Sequence, residues 1–398
     1  MKLLVVMANY PFPPRTGSAI VFSNNIEHLS KRHSVNLVCM RPMVVFFEPA
    51  KFVEKVDLVS EKFIPPIIKR LYSLFNMLIG VPPSVSACAS SAMKKKVRDK
   101  IKCEKFDVIL LFEMSAIQYF PRSSFIKLAV NIEDPQSIRL NRMAQLSIWS
   151  FWQRLKLLVL AWVTLRYENK TLHKMGKIFL LSDEDVGDMR KQDSYINVAR
   201  VSYGVEQIAP IEICGYEDRE RSIVFSGNMY HQPNVDGGLF FLTDVFPLIL
   251  LEYPSAVLWI VGANPDARIY AAAEKFGKQV VITGKVDDVA VYIKRATVSI
   301  CPVRLKIGVQ TKILEALSWG TPVVTTSAGN SGIGGVTGTH LWVEDDAAMF
   351  ALRVCGLLHG RNWTNLSAEG RKLVAEHFSW ENSAAQLERH LEALCAKN

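Results

Sequence analysis

A run of twenty residues, Ile307 to Thr326, constrains the fold of this chain more than any other segment. It is preceded by a short β-rich stretch, Thr297 to Pro302, and after Gly308 the apolar residues from Ile313 to Leu317 take helical spacing. Pro322 to Thr326 is again apolar and β-branched. The run therefore predicts a strand, a loop, a two-turn helix and a buried strand in succession, which is the repeating unit of a parallel α/β sheet.

The loop of this run predicts an anion-binding site. It brings a helix N-terminus to the carboxyl edge of a strand, where backbone N–H groups and the helix dipole favour a phosphate. Lys312 adds a positive charge, and Glu315, expected in the first turn, can accept hydrogen bonds from a ribose. The alternative for Glu315 is a surface carboxylate that stabilises the helix dipole. The residues predicted to hold a nucleoside diphosphate here are Gly308, Val309, Gln310, Thr311, Lys312 and Glu315.

Three further segments match the order and spacing of a known family. They are Ile223 to Met229, Pro233 to Asp236 and Pro254 to Gly262. With the run above, they resemble the second domain of the retaining nucleotide-sugar glycosyltransferases with the GT-B fold, family four, and the resemblance covers nearly the whole chain. Of two family glutamates separated by seven residues only the second, Glu315, is present, and Ile307 stands at the first position.

The resemblance implies two domains on either side of a cleft, and no cofactor besides a nucleoside diphosphate sugar as donor substrate. It assigns further donor-binding roles to Gly17, Arg15, Gly227, Asn228, His231 and Gly262. Two alternatives stay open. His231 is more typical of a surface residue or a satisfied turn than of a phosphate ligand. The loop around Gly17 can also be a proline-stiffened turn that caps a helix.

Four residues are predicted to act on the reacting groups: Lys312, Glu315, Glu133 and Asp134. The last two follow a predicted strand and lie where the family carries an acceptor-side acidic motif. There they would orient an acceptor hydroxyl or take up its proton. Equally, Asp134 with Pro135 is typical of a plain N-cap followed by a helix-starting proline.

The sequence predicts no metal site. One acidic triplet, Asp183 to Asp185, has the Asp-x-Asp form used by metal-dependent glycosyltransferases. It follows a predicted strand and Ser182, which favours the acidic first turn of a helix that Ser182 caps. The eight histidines show no ligand spacing either.

Strand and helix patterns alternate in both halves, which predicts an α/β fold with two Rossmann-like, doubly wound parallel sheets. We predict strands at 2–7, 35–39, 107–112, 127–131 and 177–181, then at 222–226, 256–261, 279–282, 297–301, 322–326 and 340–343. Gly204 and the segment Phe378 to Trp380 resemble the family's two domain crossings. They predict an acceptor-binding domain of residues 1–203 plus 381–398 and a donor-binding domain of residues 204–380.

Composition indicates a globular protein and its charge indicates a partner. The 398 residues are 49% hydrophobic and 21% charged, and seven scattered cysteines favour reduced thiols in the cytoplasm. Residues 1–205 carry 30 Lys and Arg against 17 Asp and Glu, whereas the remainder is acidic. We favour peripheral contact with the anionic inner face of a membrane over nucleic acid, because no nucleic-acid-binding motif is present. A solvated basic surface is the alternative.

Two segments bear on that contact. The basic run Met93 to Lys102 places Met93, Val97 and Ile101 on one helical face, which favours an ordinary connecting helix over a lipid-binding element. The segment Ile148 to Tyr167 is rich in aromatic residues, but its longest apolar stretch is too short to span a membrane. It predicts a partly buried helix that either packs in the first domain or touches the bilayer.

These observations predict a glycosyltransferase of hexosyltransferase type, which moves a sugar from a nucleoside diphosphate sugar to a glycan or lipid-linked acceptor. The resemblance implies retention of configuration and independence from metal. An epimerase or phosphorylase on the same architecture is an alternative enzyme. A catalytically silent nucleotide-sugar-binding protein is an alternative from another class, since Ile307 replaces a family carboxylate.

Overall fold

The structure is a computed structural model, and it describes residues 1–14, 16–41, 52–60, 66–120, 127–146, 148–208 and 213–396. The described residues form two compact units. The first takes in those of Met1–Gln145, Trp149–Gly204 and Trp380–Asn398, and the second those of Leu146–Ile148 and Val205–Ser379. The chain passes from the first unit to the second after Gly204 and returns after Ser379, and each point lies one residue from the predicted boundary.

Within the described residues, the first domain is built on a seven-stranded parallel sheet with the order β3-β2-β1-β4-β5-β6-β7. Its strands are β1 Lys2–Val6, β2 Ser34–Met40, β3 Lys55–Val59, β4 Val108–Phe112, β5 Leu128–Glu133, β6 Lys177–Leu180 and β7 Val198–Arg200. The central strands β1 and β4 are short apolar runs, which suits a sheet that is covered on both faces. The edge strands β3 and β7 are the two that the sequence patterns did not predict.

Four helices of the first domain begin at residues whose side chains cap them, namely Thr16, Ser90, Ser150 and Ser182. They are α1 Gly17–Ser30, α2 Pro66–Leu78, α3 Pro83–Ser86, α4 Ser91–Cys103, a 3-10 helix Met114–Tyr119, α5 Gln136–Met143, α6 Phe151–Leu172 and α7 Asp183–Gln192. The predicted apolar face of α4 is confirmed in part, because Met93 and Val97 are buried in the core.

The second domain is built, within the described residues, on a six-stranded parallel sheet with the order β10-β9-β8-β11-β12-β13. Its strands are β8 Glu220–Ser226, β9 Val257–Val261, β10 Val280–Gly284, β11 Ala296–Cys301, β12 Val323–Thr325 and β13 Trp342–Val343. Each coincides with a predicted strand. Two doubly wound parallel sheets thus confirm the predicted α/β fold class.

The helices of the second domain cover both faces of that sheet. They are α8 Gln232–Phe240, a π-helix Phe241–Val245, α9 Phe246–Glu252, α10 Ala267–Ala273, a 3-10 helix Glu274–Gln279, α11 Ala290–Arg295, α12 Thr311–Ser318, α13 Ser327–Asn330, α14 Ala347–Leu358 and α15 Trp363–His377. The last helix of the chain, α16 Trp380–Ala396, packs against α1 of the first domain.

One continuous helical run in the described chain, Gln232–Glu252, is long and apolar enough to cross a membrane. Most of it is buried, and Val235, Phe241 and Phe246 belong to the core of the second domain. The apolar character of this run is therefore explained by its place in that core.

Candidate active site

The loop that joins β11 to α12 presents a helix N-terminus at the carboxyl edge of the second sheet. Gly308 has a φ of +50°, a left-handed conformation that glycine adopts without strain. Gln310 is the N-cap residue but its side chain does not cap the helix, and its amide instead donates to the carbonyl of Ile307 at 3.1 Å. Val309 and Thr311 are half-buried beside it. The first-turn amides of α12 therefore have no capping side chain, and an anion can take that place.

Lys312 is buried, and its ammonium group lies close to the turn that follows β8. Its Nζ donates to Oδ1 of Asn234 at 2.5 Å. Among the described residues no carboxylate lies within ion-pair distance of Nζ. Burial lowers the pKa of the ammonium, although the nearby Cys301 and Glu315 oppose that shift. A desolvated cation without a counterion is a site to which an anionic ligand binds favourably.

The turn after β8 is shaped around Lys312 and Asn234. The Asn234 amide donates to the carbonyl of Asn228 at 2.9 Å, which holds Oδ1 towards the lysine. Gly227 has a φ of +145°, and a Cβ there would lie 2.9 Å from Nδ2 of Asn234 and 3.3 Å from Nζ of Lys312. The predicted residues Gly227, Asn228 and Lys312 are thus brought together, with Asn234 as the link between them.

Two other predicted residues occupy more peripheral places on the same edge. His231 is exposed at the N-cap of α8, where its carbonyl oxygen accepts a hydrogen bond from the backbone N–H of Asn234 at 2.8 Å. Gly262 lies at the end of β9, and a Cβ there would come within 1.7 Å of the carbonyl oxygen of Gly227. Gly262 therefore allows the close approach of two backbone turns.

Glu315 differs in position from the expectation. It is the fifth residue of α12 rather than a first-turn residue, and the first turn contains no acidic side chain. This distance from the helix N-terminus weakens the dipole explanation, because that effect is confined to the first turn. The residue is exposed to solvent. The protein around it still removes part of the water near the carboxyl group, and this desolvation raises the pKa of the carboxyl above the ordinary value.

The segment before Gly308 shows what surrounds the missing family glutamate. Ile307 is half-buried, and Arg304 is held by a two-point ion pair to Asp236 at 2.8 and 3.0 Å. The guanidinium also lies 5.0 Å from the ring centre of Phe240. These contacts indicate that Arg304 stabilises the loop. The exposed Lys306 adds a positive charge to the same loop, and the sequence analysis did not assign it a role.

The first domain also presents a helix N-terminus, that of α1, at the carboxyl edge of its sheet. Thr16 caps it by accepting the amide of Ala19 at 3.2 Å, so the capping alternative for this loop is confirmed. A Cβ at Gly17 would meet no atom within 4 Å, which leaves open space over the helix end. Arg15, predicted to bind the donor, lies outside the described residues.

Glu133 is held beside this helix end by Ser18, whose hydroxyl donates to its carboxylate at 2.5 Å. Burial raises the pKa of Glu133 to about 7, and the neighbouring Asp134 and Glu113 add to that shift. The residue has a φ of +63°, which is uncommon for a residue with a side chain. The structure thus brings Gly17, Ser18 and Glu133 to one place, which the sequence had not predicted.

Glu113 is a residue of this edge that sequence reasoning missed. It follows β4 with φ and ψ of +67° and 150°, a region that residues other than glycine rarely adopt. The carboxylate of Glu113 accepts a hydrogen bond from the hydroxyl of Ser115 at 3.0 Å, and burial raises the pKa of this carboxyl. The available signal was an acidic residue directly after a buried strand, as with Glu133.

Asp134 forms an ion pair within the first domain. It pairs with Arg139 at 3.4 Å, and its pKa is raised by burial. The N-cap alternative for this residue is wrong, because Pro135 is the N-cap of α5. At the N-terminus of α5 the backbone N–H of Ser137 instead donates a hydrogen bond to the carboxylate of Glu168 at 3.1 Å.

The acidic triplet Asp183 to Asp185 forms the first turn of α7, and Ser182 accepts the amide of Asp185 at 3.1 Å. The prediction of a capped helix is confirmed. Elsewhere in the described chain, His33, Glu388 and Glu392 have potential ligand atoms within 4.8 Å of one another. None of these three belongs to the predicted site, and the independence from metal stays a prediction.

Known proteins share this chain's fold and part of its sequence. Residues 220–360, most of the second domain, match the family described as glycosyl transferases group 1. An uncharacterized 44.6 kDa protein in the cps region of Klebsiella pneumoniae is 21% identical over 384 residues, which cover 89% of this chain and 90% of that protein. The matched family region contains the α12 loop, Lys312 and Glu315.

Solved structures resemble the whole chain. The sucrose-phosphate synthase of Thermosynechococcus elongatus has a TM-score of 0.73 at 16% identity, with 100% of both chains covered. HepE of Anabaena, solved with UDP and glucose, has a TM-score of 0.64 at 12% identity, with 99% of this chain and 100% of that chain covered. At these identities the likeness shows the fold, two Rossmann-like domains of the GT-B type.

Proposed function

We propose that this protein, a glycosyltransferase-type enzyme whose residues 220–360 match the glycosyl transferases group 1 family, transfers a sugar from a nucleoside diphosphate sugar. The acceptor is a glycan or a lipid-linked glycan of polysaccharide or glycolipid synthesis. Transfer retains the anomeric configuration and is independent of a metal ion. The enzyme works in the cytoplasm, at the inner face of a membrane.

The observation that carries this proposal is the buried ammonium of Lys312. It lies at the first turn of a helix that has no capping side chain. Among the described residues its partner is the amide oxygen of Asn234 and not a carboxylate. A diphosphate placed over α12 supplies the missing negative charge. The ammonium then stabilises the charge that develops on the leaving group, where a desolvated donor acts most strongly.

Glu315 follows Lys312 by three residues, so the two side chains project from neighbouring positions of one helix face. In the proposed complex its carboxylate accepts hydrogen bonds from the donor ribose while the helix end holds the diphosphate. The chemistry is departure of the diphosphate with attack of the acceptor hydroxyl from the same face of the sugar. Such a reaction depends on positioning and electrostatic stabilisation rather than on a strong protein nucleophile.

The carboxyl edge of the first sheet contributes the acceptor contacts in this proposal. Glu133, with a pKa of about 7, is charged in a large fraction of molecules at neutral pH and accepts a hydrogen bond from the acceptor hydroxyl. Ser18 orients its carboxylate, and Glu113 lies next to it in the sheet order. The strained backbone at both glutamates supports a functional use, because such strain collects at sites of binding and catalysis.

The membrane contact is supported by two helices of the first domain with exposed apolar side chains. On α2, Leu71, Phe75 and Leu78 are more than half exposed, and on α6 so are Phe151 and Trp152. Exposed apolar residues beside a strongly basic sequence favour an anionic membrane surface as the partner. The segment 148–167 was predicted for this role, whereas α2 was not.

A screen and an assay test the enzymatic proposal. Nucleoside diphosphate sugars that bind the folded protein raise its melting temperature with concentration. The sugar selected in this way should be transferred to a glycolipid acceptor with release of the nucleoside diphosphate. Binding without release of nucleotide would favour the catalytically silent alternative, and formation of a new nucleotide sugar without acceptor would favour the epimerase.

Co-sedimentation with vesicles tests the membrane contact. Replacing Leu71 and Leu78 of α2 by Glu removes two exposed apolar groups, each of which contributes about 1.5–3 kcal/mol on full burial. We expect the double variant to lose binding to anionic vesicles. The matched control is Leu251→Glu with Leu352→Glu, which changes exposed leucines of the second domain by the same charge. Equal loss in both variants would contradict docking through α2.

A further inference from the structure

The first domain contains a cavity of about 570 Å³ that the proposed reaction does not use. It lies on one face of the sheet, between α2, the 3-10 helix Met114–Tyr119 and the last turns of α6. This volume is typical of sites for small molecules.

Apolar groups form slightly more than half of the cavity wall, and polar groups form the rest. The apolar lining includes Val85 of α3, Ile117 of the 3-10 helix, Leu128 of β5 and Met175 of the segment before β6. Tyr167 also lines it, and its hydroxyl has no hydrogen-bond partner among the described residues. Burial raises the pKa of this hydroxyl to about 12, so it stays a neutral donor. The interior therefore suits a hydrocarbon chain with a polar atom near one end.

Three lysines give the cavity a positive rim. Lys94 comes from the first turns of α4, Lys170 from the last turn of α6, and Lys174 from the segment that follows it. All three are exposed, and within the described chain none forms an ion pair with a carboxylate. Three ammonium groups around one opening favour a ligand with a compact negative charge, such as a phosphate.

The exposed helix α2 joins this cavity to the proposed membrane contact. Tyr72 and Asn76 of α2 line the cavity, while Leu71, Phe75 and Leu78 of the same helix are exposed. A helix that lies in the bilayer interface with those residues buried would place the cavity next to the lipid. A chain could then enter from the hydrocarbon side while its head group stays at the level of the lysines.

We propose that this cavity binds a lipid with an anionic phosphate head, with its hydrocarbon chain between the apolar walls and its phosphate between Lys94, Lys170 and Lys174. The site is separate from the sheet edge that carries Glu133. The proposal rests on the membrane contact proposed above but not on glycosyl transfer. A bilayer phospholipid and a lipid-linked acceptor share this chemistry.

The test uses dodecyl phosphate as a soluble probe, without donor or acceptor, in calorimetric titration of the full chain. We expect one molecule to bind, at least tenfold more tightly than either dodecanol or inorganic phosphate. Lys170→Glu with Lys174→Glu should weaken this binding at least tenfold. The matched control, Lys95→Glu with Lys102→Glu, makes the same charge change at exposed lysines of α4 that do not line the cavity, and should bind as the wild type does.

Two results would overturn the proposal. One is a probe affinity no greater than that for dodecanol or inorganic phosphate, and the other is equal binding by the two double variants. Because the titration needs no catalysis, failure of the transferase proposal leaves it interpretable. Transfer to a lipid-linked acceptor, measured with increasing concentrations of the probe, then identifies the source of the natural ligand. An unchanged rate assigns the cavity to a bilayer lipid, and competitive inhibition assigns it to the lipid of the acceptor.

Discussion

The carboxyl edges of the two sheets have the same architecture and opposite chemistry. At the edge of the second sheet burial lowers the pKa of a cation, Lys312. At the edge of the first sheet burial raises the pKa of three carboxyls, those of Glu113, Glu133 and Asp134. One physical cause, removal of a charged group from water, acts at both edges. In our proposal it suits one edge to the donor diphosphate and the other to the acceptor hydroxyl.

The two edges also differ in how their side chains are held. Lys312 is fixed by a chain of hydrogen bonds through Asn234 to the carbonyl of Asn228. Among the described residues, the carboxylate of Glu133 has one side-chain hydrogen-bond partner, Ser18, and the backbone of Glu133 is strained. In our account the first arrangement fixes a charge for a diphosphate, and the second presents a carboxylate whose protonation changes near neutral pH.

The largest effect is expected from Lys312→Ala. Loss of a charge-assisted contact to the leaving phosphate should cost about 2–4 kcal/mol in the transition state, seen as a loss of roughly 30- to 1,000-fold in kcat. Lys278→Ala is the matched control, because this exposed lysine precedes β10 at the opposite edge of the same sheet. Near-normal kcat in Lys312→Ala would remove the residue from the mechanism.

Glu133→Gln should lower activity by roughly 10- to 100-fold, since hydrogen bonds to charged groups contribute about 1.5–3 kcal/mol. It should also abolish a pH-dependent step. In the wild type the charged, accepting form appears as pH rises through about 7, so we expect kcat to rise there and the variant to show no such rise. The measurement is a pH profile of kcat with saturating donor.

The stability of the same variant has a defined sign. The folded pKa of Glu133, about 7, lies above its ordinary value of 4.5, so the folded state binds this proton more tightly than the unfolded chain. The free energy of unfolding should therefore fall as pH rises from about 4.5 to 7, and Glu133→Gln should remove that part of the fall. Glu168→Gln is the control, because burial raises its pKa to about 7 as well while its carboxylate caps α5. It should change the stability profile and leave the pH profile of kcat in place.

A smaller effect is expected from Gly227→Ala. The new Cβ would crowd Asn234 and Lys312 in a conformation with φ of +145°, so the ammonium should be displaced and donor affinity should fall by about tenfold. Gly277→Ala has a similar strain at φ of +53°, but its Cβ would meet no atom within 4 Å. Both variants should lose stability of the order of 1 kcal/mol, and only Gly227→Ala should lose donor affinity.

The second edge was predictable from sequence because its parts are close along the chain. The loop from Gly308, the helix that begins at Thr311 and the following strand form one continuous pattern. Their order was predicted correctly, although Glu315 lies beyond the first turn in which it was expected. The partner of Lys312 was not predicted, since Asn234 lies 78 positions away in the sequence. Local spacing carries no information on which loop a buried side chain will meet.

The first edge was harder to predict for the same reason. Ser18 and Glu133 are 115 positions apart, and their contact depends on the order in which β1, β4 and β5 lie in the sheet. Glu113 was missed because it follows a strand without a recognisable motif. The edge strands β3 and β7 were missed because they are short or only partly buried, so their apolar patterns are weak.

The central claim is that the edge of the second sheet binds the donor while Glu133 serves the acceptor. Calorimetric titration of the nucleoside diphosphate selected by the thermal screen tests it most directly. We predict that Lys312→Ala and Glu315→Gln each raise the dissociation constant at least tenfold, that Glu315→Gln leaves the affinity for inorganic pyrophosphate unchanged, and that Glu133→Gln binds the nucleotide within twofold of the wild type. Unchanged affinity in Lys312→Ala, or an equal loss in Glu133→Gln, would contradict the division of tasks between the two edges.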